Sequence, residues 1–146
     1  MTALIIVVAI CILLALSIFF WSRQRAESRR KAIRQYADEH HFNFLGSTLP
    51  SNLSLDGSSF RFAKAVSSAF TGKGKEKEFA FFDCTMPGDR LSYTQSVLAI
   101  YQLGGGYPAC RFDRQLREER DREWTLVYHD RRAWSISEMD AHISSL

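Results

Sequence analysis

The residues of this chain that could act as a nucleophile and a base are one cysteine, one histidine and two aspartates. Cys84 could attack an electrophilic carbon, His129 could accept its proton, and Asp83 or Asp130 could orient the imidazole. Cys84 lies in an aromatic-rich segment, KEFAFFDCT, where a buried structural thiol is the commoner outcome. We therefore predict that the protein is not an enzyme, with a diverged hydrolase or transferase as the alternative.

The remaining histidines and the glycines lack the spacing of known ligand sites. His40, His41 and His142 are not accompanied by Cys, Asp or Glu at metal-ligand spacing, so no metal site is predicted. The sequence GKGK at 72–75 lacks the spacing of a phosphate-binding loop and is typical of a solvated hairpin tip. The three glycines at 104–106 indicate a loop, with ligand contact as a lesser alternative. No cofactor is predicted.

Asp83 and Gln95 are polar residues within predicted strands, among aromatic neighbours. A polar group placed there must be hydrogen-bonded, since leaving it without a partner costs about 1–3 kcal/mol. We expect Asp83 to accept a hydrogen bond from the backbone or a hydroxyl, and Gln95 to bridge to a neighbouring strand. The alternative is that both line a binding cleft.

The elements that position these residues are mostly strands. Alternating and aromatic-rich patterns predict strands at 59–66, 77–85 and 91–102, joined by turns at 70–75 and 86–89. We expect Phe81, Val97, Leu126 and Trp134 to point into the core. Shorter strands are predicted at 109–112, 124–129 and 133–136, a short helix within 113–123, and a final helix capped by Ser137.

The strongest pattern in the sequence is an uncharged apolar run at 3–21. As a helix it would be about 28 Å long, close to the hydrocarbon thickness of a bilayer. A buried core helix would be shorter and would carry a polar stripe. A cleaved signal peptide would have a basic segment before the run and a small-residue cleavage site after it. The run therefore predicts a transmembrane anchor.

Basic residues directly follow this run and predict its orientation. Residues 23–34 contain six Arg and Lys and one Glu, whereas 1–22 contain none of either. The positive-inside bias places the N-terminus outside and the rest in the cytoplasm, at the plasma (inner) membrane. Contact with anionic headgroups is one role for these side chains, and topology control alone is the other. The predicted membrane-surface residues are Trp21, Arg23, Arg25, Arg29, Arg30 and Lys31.

The net charge of +3 comes from the juxtamembrane segment. Residues 1–34 hold six of the 19 basic groups and one of the 16 acidic groups, so 13 basic and 15 acidic groups remain, a net charge of −2. A nucleic-acid-binding domain would have a basic surface of its own. We predict membrane lipids and an unknown protein as partners, and no nucleic acid.

The three predicted parts are a transmembrane anchor at 1–22, a basic juxtamembrane helix at 23–41 and a cytoplasmic domain at 42–146. Ile33, Tyr36 and Ala37 form a thin apolar stripe expected to meet the domain or the lipid surface. The third part is long enough for one small domain. The predicted fold class is α+β, with a mainly antiparallel β-sheet and a short C-terminal helix. Cys84 and Cys110 are expected to be reduced.

Several short motifs carry a resemblance to a known family. They are Phe82 and Asp83, the TQSV sequence at 94–97, Pro108 with Phe112, and the helix-to-strand entry at 37–44. Through these positions, residues 79–113 resemble the central part of a family of uncharacterised bacterial proteins that carry one N-terminal membrane helix. This chain differs from the family pattern at Cys84, at Ser96 and in a displaced Phe112. The resemblance implies an anchor and a β-rich domain, and it supplies no activity to carry over.

Overall fold

The computed structural model of the protein describes residues 2–75, 77–102 and 116–146. The chain divides into two compact units, Met1–Ala32 and Ile33–Leu146. The first unit lies within helix α1 (Thr2–Glu39), whose last turns belong to the second unit. The second unit then contains β1 (Asn43–Gly46), a 3-10 helix (Ser59–Phe62), β2 (Ala65–Lys73), β3 (Glu78–Met86), β4 (Tyr93–Tyr101), β5 (Leu116–Asp121), β6 (Trp124–His129) and α2 (Ile136–Ser144).

Within the described ranges, six strands form one antiparallel sheet with the order β1-β2-β3-β4-β6-β5. Tight connections join β2 to β3 and β3 to β4, so these neighbours in sequence are also neighbours in space. The long helix, the antiparallel sheet and the short C-terminal helix confirm the predicted α+β class. We call the end of the sheet where β2 turns into β3 the hairpin end, and the opposite end the loop end.

The two faces of the sheet are buried by different parts of the chain. On one face, the last turns of α1 and helix α2 cover a helix-side core. On the other, residues between β1 and β2 cover a loop-side core. The helix-side core includes Ile33, Tyr36, Ala37, Phe70, Phe79, Phe81, Leu98, Ile100, Val127, Trp134, Met139 and Ile143. The loop-side core includes Leu53, Phe60, Ala69, Ala80, Phe82, Cys84, Val97, Trp124 and Leu126.

Successive residues in a strand point to opposite faces, which explains why the central strands are apolar almost throughout. Of the residues expected in the core, Phe81 and Trp134 are buried on the helix side, whereas Val97 and Leu126 are buried on the loop side. The prediction that all four are buried is confirmed, and they contribute to two cores.

Two predicted elements in the second half of the chain are wrong. Residues 116–121 form strand β5, where a short helix was expected, because pairing with β6 outweighs the local preference of a charged segment. Residues 133–136 form no strand. They lead into α2, which is capped by Ser135 and not by Ser137. The Ser135 side chain accepts from the Glu138 backbone N–H, and the Glu138 carboxylate accepts from the Ser135 N–H.

A third predicted element, the strand at 59–66, is wrong over its first half. Ser58 accepts a hydrogen bond from the backbone N–H of Phe60, which starts a 3-10 helix at Ser59–Phe62. Strand β2 begins only at Ala65 and continues to Lys73, so the predicted turn at 70–75 is wrong over 70–73. The connection to β3 begins at Gly74, whose N–H donates to the Lys77 carbonyl. The predicted strand at 109–112 and the glycines at 104–106 lie outside the described residues.

Candidate functional site at the hairpin end of the sheet

The predicted membrane-surface residues all lie on α1 within the first unit. Helix α1 is long and apolar enough to cross a membrane, and its apolar window is not buried by any described part of the protein. Trp21 is 66% exposed, and the guanidinium of Arg25 lies 5.9 Å from the centroid of its ring. Arg23 forms an exposed ion pair with Glu27 at 3.5 Å. Arg30 and Lys31 are exposed, and Arg29 is half-buried.

Asp83 and Gln95 are buried on opposite faces of the sheet and do not share a cleft. Ser96, the partner of Asp83 in β4, donates from its hydroxyl to Asp83 Oδ1 at 2.6 Å. The amide of Gln95 donates to the His129 backbone carbonyl at 2.9 Å, linking β4 to the end of β6. Both hydrogen bonds agree with the structural interpretation of these residues.

Cys84 and His129 are not placed to act together. Cys84 belongs to the loop-side core, whereas the His129 ring packs edge-on against Trp134 in the helix-side core. Burial, with a smaller effect of the Asp83 charge, raises the pKa of the Cys84 thiol to about 12. The thiol therefore stays protonated and unreactive at neutral pH. The hypothetical nucleophile and base are separated by the sheet.

The described residues bring polar side chains together at the hairpin end instead. A cavity of about 450 Å³ opens there on the loop side of the sheet. Its polar lining combines a cation, a carboxylate, two amides, a hydroxyl and an imidazole, and several of these side chains are exposed. The polar lining residues are His41, Asn43, Asn52, Thr71, Lys73 and Glu78. We call this the hairpin-end cleft.

Local backbone geometry explains why this cleft forms. His41 adopts a left-handed conformation (φ 58°), which turns the chain from α1 into β1 and places Asn43 opposite Thr71. On the helix side of the same hairpin, Gly72 leaves room for the Phe42 ring, because a Cβ at this position would lie 2.5 Å from it. The Trp124 indole N–H donates to the Asn52 carbonyl at 3.0 Å and holds the long β1–β2 connection over the sheet.

A second cavity of about 470 Å³ lies on the helix side of the same hairpin, lined in part by Lys73 and Lys75. Its wall includes Tyr36, whose hydroxyl donates to Asp140 Oδ1 at 2.9 Å, and His40, whose ring stacks on Tyr36 at 4.2 Å. Nε2 of His40 is 4.0 Å from the same carboxylate oxygen. This group joins the end of α1 to α2.

The resolved pKa shifts do not favour acid–base chemistry in the described residues. Burial and the hydrogen bond to Asp140 raise the pKa of Tyr36, so its hydroxyl remains a donor. A hydrogen bond to Glu123 raises that of Tyr101. The backbone N–H of Ser135 holds the pKa of Glu138 at about 2. Each of these shifts, like that of Cys84, moves the pKa of the group further from neutral pH. A general acid or base works best when its pKa is near neutral pH.

The sequence did not reveal the hairpin-end cleft, because its residues come from four separate segments that only the strand register brings together. The interpretation of GKGK as a hairpin tip agrees with the position of Gly74 and Lys75 after the end of β2, and it is wrong for Gly72 and Lys73, which lie in β2 and pair with β3. In the described ranges, no group of three or more His, Cys, Asp or Glu side chains could hold a metal ion.

Comparison of the chain with protein-family models, curated proteins and solved structures finds no match. The resemblance of residues 79–113 to a bacterial membrane-anchored family therefore stays a prediction.

Proposed function

We propose that the protein is a single-pass membrane-anchored binding module without catalytic activity. In this proposal α1 crosses the plasma (inner) membrane with its N-terminus outside, and the unit Ile33–Leu146 lies in the cytoplasm. Two features support it: the exposed apolar surface of α1 up to Trp21, and the basic residues that follow on one side only. Anchoring raises the concentration of the unit near membrane-bound partners.

The hairpin-end cleft is the observation that carries the binding role. It presents a lysine, a glutamate and two amides from backbone held by sheet pairing and by the Trp124 hydrogen bond. Such groups recognise a polar partner by hydrogen bonds and by charge, and they need no bond-making step. We propose that a polar segment of a protein partner occupies this cleft, with Lys73 and Glu78 as its charged contacts.

The edges of the sheet are less suited to a partner than the cleft. Edge strand β1 has four residues and a register shift between Phe44 and Gly46. Edge strand β5 carries the sequence LREERD, and charged side chains on an edge oppose the addition of another strand. Binding by strand addition is therefore disfavoured at both edges.

Site-specific photocrosslinking in intact membranes tests this proposal. A photoreactive residue replaces Asn43 in the cleft or, as the control, the exposed Ser137 on α2. We expect a discrete protein adduct from position 43 and none from position 137, and we expect Lys73→Ala to reduce the adduct severalfold. Equal labelling from both positions, or an adduct yield that is unchanged by Lys73→Ala, would contradict the proposed binding role of the cleft.

Orientation is tested separately with a reporter fused after Leu146. Alkaline phosphatase should be inactive there and a cytoplasmic fluorescent protein should be bright. An active phosphatase fusion would show that the unit lies outside the cytoplasm.

A further inference from the structure

We propose that the loop end of the unit Ile33–Leu146 is a second membrane contact, which docks on anionic lipid headgroups by placing Phe62 and Leu91 at the bilayer surface. This inference rests on the proposed anchoring of the chain by α1. It concerns the end of the sheet opposite the hairpin-end cleft.

Two large apolar side chains at the loop end are strongly exposed. Phe62 is 60% exposed and Leu91 is 83% exposed. Among the described residues of this unit, Phe62 and Leu91 are the large hydrophobic side chains that are mostly exposed, whereas the others pack in or against the two cores. An exposed aliphatic or aromatic side chain is stabilised at a membrane interface, because insertion there removes its apolar surface from water.

The sheet brings these two residues to the same end. Phe62 ends the 3-10 helix just before β2 begins, and Leu91 lies in the connection from β3 to β4. The Lys64 ammonium donates to the Ser92 hydroxyl at 3.0 Å, and the Lys64 backbone N–H donates to the Thr85 carbonyl at 2.8 Å. The first bond ties the segment after Phe62 to the residue after Leu91, and the second ties the same segment to the end of β3.

Cationic side chains surround the two apolar residues. Arg61 lies over the Phe62 ring at 4.6 Å, Arg90 directly precedes Leu91, and Arg131 lies 5.9 Å from the Tyr93 ring. All three are exposed.

The acids near the loop end offset these cations only in part. Asp130 is paired with Arg117 at 3.0 Å, and Glu138 is paired with Arg132 at 2.6 Å. Asp89 lies in the β3–β4 connection, and Glu119 accepts hydrogen bonds from the backbone N–H and the hydroxyl of Ser59 at the start of the 3-10 helix. Against these four acids stand six basic residues, so the loop end has an excess of positive charge although residues 35–146 have a net charge of −2. The basic residues are Arg61, Lys64, Arg90, Arg117, Arg131 and Arg132. Apolar side chains flanked by Arg and Lys match an anionic bilayer surface.

The anchor limits the distance between Ile33 and the bilayer. Residues 23–32 join the apolar run to Ile33, and ten residues reach at most about 35 Å even when fully extended. The unit therefore stays at a high effective concentration relative to the lipid surface, so individually weak contacts are enough for docking.

The test uses the full chain reconstituted in lipid nanodiscs, with a nitroxide spin label at Leu91→Cys or, as the control, at Lys75→Cys at the hairpin end. Cys11 and Cys110 are replaced by serine, and Cys84 is buried and stays unlabelled. Collision of the label with oxygen and with a water-soluble nickel chelate reports its depth. In discs containing phosphatidylglycerol, we expect the nickel accessibility at position 91 to be at least threefold lower than at position 75.

Charge reversal and lipid composition define the contact further. Arg61→Glu combined with Arg90→Glu should restore nickel accessibility at position 91, whereas Arg122→Glu at the β5–β6 turn should not. Discs of phosphatidylcholine alone should protect position 91 less. The inference would be overturned by equal nickel accessibility at positions 91 and 75 in anionic discs. It would also be overturned if the low accessibility at position 91 did not change with charge reversal or with lipid charge. A chain that fails to co-elute with the discs would refute the anchor itself, and a co-eluting chain with an aqueous label would refute only the docking.

Discussion

The hydroxyl of Ser96 joins three elements, so its removal is a sharp test of the fold. Ser96 is fully buried in β4, donates to Asp83 in β3 at 2.6 Å and accepts from the backbone N–H of Trp134 at 2.9 Å. Trp134 lies in the segment that leads to α2. We expect Ser96→Ala to destabilise the unit Ile33–Leu146 far more than the loss of one oxygen atom suggests.

The size of the effect follows from the two hydrogen bonds. A hydrogen bond to a charged group contributes about 1.5–3 kcal/mol, and a buried donor that loses its acceptor costs about 1–3 kcal/mol. Together they predict a loss of about 2.5–6 kcal/mol in the free energy of unfolding. A domain of this size has about 5–15 kcal/mol in total, so the variant should lose a large part of its stability.

Urea unfolding of the full chain in mild detergent, followed by tryptophan fluorescence, measures this loss. Thr94→Ala is the matched control, because it removes a hydroxyl from an exposed position of the same strand and should change stability by less than about 0.5 kcal/mol. A double-mutant cycle with Asp83→Asn isolates the Ser96–Asp83 coupling, expected at about 1 kcal/mol or more. A Ser96→Ala loss below about 1 kcal/mol would refute the reasoning.

Three further substitutions test other parts of the protein. Glu138→Gln removes a carboxylate whose pKa is held at about 2, so it should lower the melting temperature at pH 6, and this difference should shrink as the pH falls from the ordinary Glu range towards 2. A difference that is independent of pH would contradict the capping role. Leu13→Arg should cost about 2.5–3.5 kcal/mol of membrane insertion, and full resistance to carbonate washing would show that this run is not the sole anchor. Gly72→Ala places a Cβ against Phe42 and should cost about 1–3 kcal/mol in a urea melt, and wild-type stability would contradict this packing.

The central strands and the long helix could be predicted because their sequences carry strong local patterns. The segment FAFFDCT is aromatic on both faces, as expected for a strand covered on both sides, and β4 was predicted within two residues of its ends. Helical spacing grouped Ile33, Tyr36 and Ala37 on one stripe expected to meet the domain or the lipid surface, and they are buried in the helix-side core. In each case local preference and tertiary environment favour the same structure.

The wrong predictions concern segments in which the local preference of the sequence and the tertiary environment favour different structures. After Leu116, every residue of β5 is charged and the segment has no apolar face, so its conformation depends on pairing with β6, which the sequence does not show locally. Phe60 and Phe62 alternate as in a strand, but the Ser58 side chain caps a 3-10 turn that places Phe60 in the loop-side core and leaves Phe62 exposed. The cleft was missed for a similar reason, since Asn43 and Thr71 meet only through the β1–β2 register.

Because both faces of the sheet are buried, the two candidate contact surfaces of the described unit lie at the ends of the sheet. The hairpin end has a cavity with Lys73 and Glu78, and the loop end has exposed Phe62 and Leu91 beside cations. The strands between them are nine residues long, about 30 Å, so substitutions at one end lie beyond direct contact with the other. Lys73→Ala should therefore weaken crosslinking at the cleft and leave the depth of a label at position 91 unchanged. Charge reversal at the loop end should raise nickel accessibility there while the cleft still forms its adduct, if the two ends bind independently.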